Sequence, residues 1–382
     1  MSSLDSDPDR SNSRRESRRS GGYLDAASGT WLNPAAEQAW LAALEQGWAD
    51  PRRAYHQGRH AALLLDAARE EIAAGFGASA GQVEFTTSGT AALAAAVERF
   101  APNLPADSTV VTSAVEHSAV PRALDRWSGP TRTVGVDRLG RIDPAEFAAS
   151  LGSRPGLAVL QHVNQEVGTV QPIEQVASLI GPCPLLVDAG ASVGRVELPE
   201  GWAVMTASAA KWGGPLGIGV VVDRHHRAST GSAGDEWLGR ANVPAAVAAA
   251  AGLSWIMQRR ELFAAGHRKL IAELREQLPV LISDVEVVGD PLNCAPHILN
   301  FSCLYVDGEA LVQGLDRRGI AVSSGSACAG VSGEPSHVLA AMGVLTHGNI
   351  RVSLPFDDCA PEVTQLLQEL PGLVRQLRAD LP

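Results

Sequence analysis

Short apolar, β-branched runs alternate with alanine-rich amphipathic stretches over much of the chain. Five runs predict strands, at 82–86, 108–112, 157–162, 185–188 and 217–222. The spacing of apolar positions between them predicts helices at 61–74, 91–100, 143–151 and 173–180. This alternation indicates an α/β domain with a mainly parallel sheet. Because such sheets bind ligands at the carboxyl ends of their strands, residues that directly follow these runs are the first candidates for a site.

The pattern changes near Pro244. A long helical stretch over 245–278 is followed by shorter predicted elements, which we list in chain order: strands at 285–288 and 297–302, a helix at 309–318, a strand at 320–323 and a closing helix from Ala360. We therefore predict a disordered tail over 1–20, a large domain over 21–245 and a smaller α+β domain over 246–382.

Composition narrows the function classes. The chain has 382 residues, of which 45% are hydrophobic and 19% charged, which is typical of a globular protein. The net charge of −11 argues against nucleic acid as a partner. No apolar run approaches the roughly 18 residues of a membrane span, and the first twenty residues lack the apolar region of a signal peptide. We predict a cytoplasmic protein without a membrane or nucleic-acid partner.

The five scattered cysteines form no CxxC pair, so neither a disulfide scaffold nor a metal site is indicated.

Lysine is rare in this chain. Only Lys211 and Lys269 are present, against 29 arginines. Lys211 lies in the string Ser-Ala-Ala-Lys-Trp-Gly-Gly that begins at Ser208. An amine forms a Schiff base with a carbonyl compound and a guanidinium does not, so lysine at this position favours covalent chemistry. The alternative is an ordinary surface lysine in a glycine-rich turn.

Three more candidates follow predicted strands. Asp188 ends a buried strand and could bind a cationic ring nitrogen, or it caps a turn. Ser88 and Thr90 begin a helix, where hydroxyls and backbone N–H groups could hold a phosphate, although ordinary helix capping uses the same residues. His117 could stack on a planar cofactor, or it is a structural hydrogen-bonding residue.

Two candidates lie near the carboxyl end. Cys328 is surrounded by serine and glycine, a setting that gives a nucleophilic thiol the access it needs. Arg351 could bind a substrate carboxylate through two parallel hydrogen bonds, or it forms a surface salt bridge. Pyridoxal phosphate needs an amine, a ring-nitrogen partner, a phosphate cradle and a stacking group, and an amino-acid substrate needs a carboxylate clamp.

These residues stand in strings that resemble one family. The chain is similar, over about 23–354, to cysteine desulfurases of the NifS/IscS type, in the class V aminotransferase family of fold-type I enzymes. The strings that carry the resemblance are Tyr-Leu-Asp-Ala-Ala at 23–27, His-Gln-Gly-Arg at 56–59, the turn at 86–91, Glu-His at 116–117, Asn-Gln-Glu-Val-Gly-Thr-Val-Gln-Pro-Ile at 164–173, Val-Asp at 187–188, the segment 208–219, Ser-Ser-Gly-Ser-Ala-Cys at 323–328 and Ile-Arg-Val-Ser at 350–353. The resemblance implies a large domain with a seven-stranded, mainly parallel sheet and a smaller α+β domain that carries the cysteine.

The resemblance implies pyridoxal 5'-phosphate as the cofactor. Lys211 would hold it as a Schiff base and later move the Cα proton. Asp188 would keep the ring nitrogen protonated, and His117 would stack on the ring and assist proton transfer. Three further positions would hold the phosphate: Thr90, the backbone of Ala91, and Ser208.

The resemblance also implies the reaction. Arg351 would bind the carboxylate of L-cysteine, and the Cys328 thiolate would attack the substrate sulfur. L-alanine would leave, and a persulfide on Cys328 would pass its sulfur to an acceptor protein. The family works as homodimers, so we expect a homodimer.

The chain departs from the family pattern near the cofactor. Gln165 stands where an asparagine usually contacts the ring oxygen and the substrate, Ala191 replaces a glutamine and Ala210 a histidine. A threonine that reaches the phosphate from the partner subunit is replaced near Arg240, which could contact the phosphate instead. Two alternatives therefore stay open. One is another class V enzyme without the persulfide, namely a C–S lyase, a selenocysteine lyase or an aminotransferase, and the other is a non-enzymatic homologue that stabilises a partner.

Overall fold

Seven strands form a central sheet in the computed structural model, which describes residues 22–100, 104–225, 242–324 and 335–380. The strands are β2 (Val83–Thr86), β3 (Thr109–Ser113), β4 (Thr131–Val134), β5 (Pro155–Gln161), β6 (Leu185–Asp188), β7 (Val204–Ser208) and β8 (Gly219–Asp223), after a short β1 (Gly22–Tyr23) that lies elsewhere. Their order is β2-β8-β7-β6-β5-β3-β4. All neighbours are parallel except for β8, which is antiparallel to both β7 and β2. The predicted mainly parallel, seven-stranded sheet is confirmed.

Helices cover both faces of this sheet. They are α1 (Pro34–Gln46), α2 (His56–Phe76), α3 (Gly89–Phe100), α4 (Ala119–Leu124), α5 (Pro144–Ser150), α6 (Ile173–Leu179) and α7 (Val243–Met257). Several begin at the polar cap that helices prefer: the Asn33 side chain accepts a hydrogen bond from the Ala36 N–H, and Asp143 accepts one from the Ala145 N–H. The predicted helices at 61–74, 91–100, 143–151 and 173–180 lie at the observed α2, α3, α5 and α6.

The strands send alternate side chains into two apolar layers. Val187 of β6 packs in the layer with α2 and α7, and its neighbour Leu186 packs with Leu93 of α3. Because side chains alternate along a strand, Asp188 lies on the α3 face with Leu186. The last residue of β6 therefore meets the amino end of α3 on one face of the sheet.

A second apolar core is built mainly from residues after 271. It contains a three-stranded antiparallel sheet ordered β12 (Asn349–Ser353), β10 (Ile298–Cys303), β9 (Val285–Val288). The helices around it are α8 (Arg260–Leu281), α9 (Gly308–Asp316) and α11 (Ala360–Ala379), and a short α10 (His337–Met342) lies between the last two. β1 pairs in parallel with β11 (Ile320–Ala321), and the adjoining Leu24 is buried in this core, so the first described residues join the last third of the chain.

The long helical stretch predicted over 245–278 is two helices, α7 and α8. Most of α7 is buried around its circumference, whereas α8 buries one stripe only. A change from an interior to a surface helix needs a change of direction, and it occurs at Gln258–Arg259.

The domain boundary at 245/246 stays a prediction, and α7 runs across it and packs with the first core. Within the described ranges, no helix is long and apolar enough to cross a bilayer. The tail over 1–20, Arg240 and Cys328 lie outside the described residues.

Candidate active site

A cavity of about 310 Å³ lies at the carboxyl ends of the parallel strands. Its walls come from four strand ends of the central sheet, from the amino end of α3 and from β12. The lining residues are Ala27, Ser28, Ser88, Gly89, Thr90, Leu93, His117, Gln165, Asp188, Gly190, Ala207, Ser208, Lys211 and Arg351. The volume is at the lower end of the range for small-molecule pockets, roughly 300–1,000 Å³.

Lys211 enters the cavity from a tight turn. β7 ends at Ser208, and a single 3₁₀ turn (Ala209–Lys211) carries the lysine directly after it. The turn is fixed by the backbone, because the Ala209 N–H donates to the Ile218 carbonyl at 3.0 Å. Lys211 is half-buried. An amine held at the end of a buried strand is suited to covalent chemistry with a bound carbonyl compound.

The amino end of α3 approaches the end of β7 very closely. A Cβ at Gly89 would lie 2.9 Å from the Ser208 Cβ, so only glycine fits here without displacement. The Ser88 Oγ accepts a hydrogen bond from the Ala91 N–H at 3.0 Å, which caps the helix. The positive end of the helix and the hydroxyls of Ser88, Thr90 and Ser208 therefore lie on one side of the cavity, an arrangement that suits a phosphate.

Asp188 is held in place by the turn that follows it. Its Oδ1 accepts a hydrogen bond from the Gly190 N–H at 2.8 Å. A Cβ at Gly190 would lie 3.0 Å from that oxygen and 3.7 Å from the Lys211 Nζ, so this glycine keeps the space between the two side chains open. The cavity thus contains one fixed carboxylate, which can accept a hydrogen bond from a protonated ring nitrogen.

His117 is held as a neutral ring with a defined tautomer. Burial lowers its pKa, an effect that Asp188 opposes and Lys211 reinforces. The Nδ1 accepts a hydrogen bond from the Ala119 N–H at 3.1 Å, so the proton of the neutral ring is on Nε2. His117 can therefore donate a hydrogen bond from Nε2 while its ring packs in the cavity.

The residue before it, Glu116, is a buried acid. Its Oε1 accepts hydrogen bonds from the Ser113 Oγ at 2.5 Å and from the Gln161 N–H at 3.1 Å. Burial raises the Glu116 pKa to about 8, with a further contribution from Asp188. At neutral pH its carboxyl is mostly protonated, so Asp188 is not opposed by a second full negative charge.

Arg351 reaches the cavity from the other core. It lies on β12 and is 2% exposed. Its Nη2 donates to the Asp25 Oδ1 at 2.7 Å and to the Ser28 Oγ at 2.9 Å, and its Nη1 donates to the Gln165 carbonyl at 3.2 Å. The Nε is buried and has no hydrogen-bond partner among the described residues. A buried N–H without a partner is costly, so this atom is suited to receive a ligand oxygen.

These residues fit pyridoxal phosphate with an amino acid bound to it. The cavity offers an amine, a carboxylate for a ring nitrogen, a helix end with hydroxyls for a phosphate, a neutral imidazole and an arginine for a carboxylate. The glycines at 89 and 190 are the positions where a side chain would fill that space.

The structure brings together most of the residues that the sequence singles out. Seven of them line one cavity: Thr90, His117, Gln165, Asp188, Ser208, Lys211 and Arg351. Ala91 adjoins it through the helix cap, and Arg240 and Cys328 lie outside the described residues. Their roles stay predictions.

Sequence reasoning missed Asp25 and Ser28 as the partners of Arg351. The only signal was the string Tyr-Leu-Asp-Ala-Ala, which contains Asp25 but does not show what it contacts. Ala191, where the family has a glutamine, packs in a small apolar cluster with Ala27, Val163 and Ile298.

Comparison with known proteins gives concordant results. A family model described as aminotransferase class-V matches residues 22–366. The chain is 35% identical to a cysteine desulfurase of Cereibacter sphaeroides, over 94% of this chain and 97% of that protein. It is 31% identical to the cysteine desulfurase IscS of Dictyoglomus turgidum, over 94% and 96% respectively. A solved structure of a NifS-like protein matches with a TM-score of 0.85 and 25% identity, over 94% of this chain and all of that one.

Proposed function

The chain belongs to the class V aminotransferase family, as one of its pyridoxal-phosphate-dependent cysteine desulfurases, and we propose that it converts L-cysteine to L-alanine with the sulfur held as a persulfide on Cys328. The single observation that carries the proposal is the cavity in which Lys211, Asp188 and Arg351 meet. An amine, a ring-nitrogen partner and a carboxylate clamp in one cavity match an amino acid joined to this cofactor.

Residues of the central sheet would hold the cofactor. Lys211 would bind it covalently, Asp188 would keep its ring nitrogen protonated and His117 would pack on the ring. The phosphate would lie at the amino end of α3, against Thr90, the Ala91 backbone and Ser208, with Gln165 near the ring oxygen and Arg240 as a further phosphate contact. When bound, pyridoxal phosphate withdraws electrons from the Cα of the amino acid attached to it.

The chain's own groups would then orient the substrate and move protons. Arg351 would bind the carboxylate of L-cysteine, using the buried Nε that lacks a described partner. Gln165 adjoins this position, because its carbonyl accepts a hydrogen bond from Arg351. The Lys211 amine would take the Cα proton, and the His117 Nε2–H would donate to a developing negative charge.

The sulfur step balances without an added oxidant. The Cys328 thiolate attacks the substrate sulfur, the S–S bond of the persulfide forms and the substrate C–S bond breaks. A proton replaces the sulfur on the substrate carbon. L-cysteine and a thiol thus become L-alanine and a persulfide. An acceptor or an added thiol reductant then removes the outer sulfur.

Apolar contacts replace two of the family's polar groups near the cofactor. Ala191 and Ala210 are both buried, at 7% and 6% exposure. Each missing neutral hydrogen bond costs about 0.5–1.5 kcal/mol. Two such losses would slow catalysis by roughly one to two orders of magnitude and would not abolish it, at about 1.4 kcal/mol per tenfold.

Replacement of two cysteines tests the proposal. Cys328→Ala is compared with Cys294→Ala, which removes a half-buried cysteine outside the motif. The purified proteins are incubated with L-cysteine and a thiol reductant, and alanine and sulfide are quantified. In a separate sample without the reductant, the Cys328 peptide is examined for a mass gain of one sulfur atom. Cys328→Ala should abolish both products and keep the bound cofactor's absorbance, and Cys294→Ala should resemble the wild type. Alanine or pyruvate formation that survives Cys328→Ala would instead indicate a class V enzyme that does not use a persulfide.

Three further expectations rest on the family. We propose a homodimer, a protein that accepts the sulfur, and a cytoplasmic location. The size of the oligomer in solution and capture of sulfur from the loaded enzyme test the first two.

A further inference from the structure

α10 begins nine residues after Cys328, near the described end of the interval that contains this cysteine. Ser336 caps this helix, because its side chain accepts a hydrogen bond from the Leu339 N–H at 3.2 Å. Contacts that hold Ser336 in place therefore hold one end of the interval between residues 324 and 335, which contains Cys328.

Two hydrogen bonds, the first of them buried, fix this end against the segments that supply cavity residues. The Ser336 Oγ donates to the Glu166 Oε2 at 2.5 Å, and the two residues are 3% and 1% exposed. The His337 Nε2 lies 2.9 Å from the Glu116 carbonyl oxygen, which can only accept, so the imidazole donates. Glu166 directly follows Gln165 and Glu116 directly precedes His117.

Apolar contacts reinforce both attachments. Val338 and Leu339 of α10 pack in one buried cluster with Val115 and Val167. Val115 lies two residues before His117, and Val167 lies two residues after Gln165. The helix thus rests on the two segments that supply the imidazole and the amide of the cavity.

The other end of the interval is attached to the substrate clamp. Ser323 and Arg351 form an antiparallel bridge, in which the Arg351 N–H donates to the Ser323 carbonyl at 2.7 Å. One described end therefore meets the cavity residue Arg351, and the other meets Glu166, which directly follows the cavity residue Gln165.

We propose that Glu166 and Ser336 are positioning residues for sulfur transfer, because their hydrogen bond fixes the chain that leads from Cys328 against the cavity. The inference rests on the proposed function. Stability alone does not require this pair: Glu166 is a buried acid whose Oε1 has no described partner, and a buried hydrogen bond whose two partners are both replaced by apolar groups of the same shape can be nearly neutral for stability.

The test separates sulfur transfer from cofactor and substrate binding. Glu166→Ala and Ser336→Ala remove the hydrogen bond, whereas Glu166→Gln and Ser336→Thr keep an acceptor and a hydroxyl. Asp307→Ala is the matched control. Asp307 also caps a helix, because its side chain accepts a hydrogen bond from the Ala310 N–H of α9 at 2.8 Å, and this bond involves no cavity residue. Each variant is mixed with L-cysteine under single-turnover conditions. The change in cofactor absorbance reports binding, and the mass of the Cys328 peptide reports sulfur transfer.

Both alanine variants should transfer sulfur about 10-fold more slowly or worse, with the absorbance change at nearly the wild-type rate. Ser336→Thr and Glu166→Gln should recover most of the loss, and Asp307→Ala should transfer sulfur normally. Wild-type transfer in both alanine variants would overturn the inference, as would an equal slowing of binding and transfer. If the wild type itself placed no sulfur on Cys328, the proposed function would fail first, so the two failures are distinguishable.

Discussion

The two sides of the cavity are built in different ways. The cofactor side, formed by Thr90, His117, Asp188, Ser208 and Lys211, takes each residue from a strand end or a helix end of one sheet layer. Its fixing contacts are local: Asp188 bonds to Gly190, two residues away, and Lys211 ends a three-residue turn. The geometry of this side is therefore set within one sheet layer.

The substrate side, formed by Asp25, Ser28, Gln165 and Arg351, is assembled over long distances in the sequence. Arg351 contacts Asp25 across 326 positions and Gln165 across 186. Each contact joins the second core to another part of the chain. The cofactor side should therefore tolerate changes in the second core, whereas the substrate side should respond to them.

The largest effect is expected on the cofactor side. Asp188→Ala removes the carboxylate that we propose faces the ring nitrogen, so bound cofactor should be lost on dialysis and alanine formation should fall about 100-fold or more. Absorbance of the retained cofactor and the rate of alanine formation measure this. Asp66→Ala, which breaks a partly exposed ion pair with Arg69 on α2, is the control and should change neither. Full cofactor retention in Asp188→Ala would contradict the assignment.

A smaller effect is expected on the substrate side. Arg351→Lys keeps the positive charge and loses the planar fork, so KM for L-cysteine should rise about 10–100-fold while cofactor absorbance stays unchanged. Steady-state kinetics give the two parameters separately. Arg138→Lys alters an exposed ion pair with Glu286 and should leave KM unchanged. An unchanged KM in Arg351→Lys would argue that another group binds the carboxylate.

The smallest effect concerns the pH dependence of stability beneath the cofactor side. The folded protein holds the Glu116 proton up to a pKa of about 8, whereas the unfolded chain releases it near 4.5. Folding therefore takes up a proton between these values, and the wild type loses stability as the pH rises through this window. The glutamine of Glu116→Gln cannot ionise. The free energy of unfolding of this variant, relative to that of the wild type, should therefore increase by on the order of 2 kcal/mol between about pH 5 and pH 6.5.

Chemical unfolding at several pH values measures this difference. Glu309→Gln, at an exposed position, should run parallel to the wild type. If the stability of Glu116→Gln changed with pH in the same way as that of the wild type, Glu116 would be ionised in the folded protein, which would contradict the prediction.

The same contrast explains what could be predicted from the sequence. The strand predicted at 185–188 matches β6 in both bounds, because a continuous apolar run ended by an aspartate is a local signal. β4 was missed because it is a sheet edge whose first three residues are exposed, which leaves no apolar run to detect. The Asp25–Arg351 ion pair could not be predicted, since it depends on β1 joining the second core.

Covalent trapping tests the central claim most directly. The purified protein is reduced with sodium borohydride and digested, and its peptides are analysed by mass spectrometry. Since the chain has only two lysines, the result is unambiguous. The reduced cofactor should be found on Lys211. Its recovery on Lys269, or on neither lysine from protein that carries the cofactor's absorbance, would contradict the account.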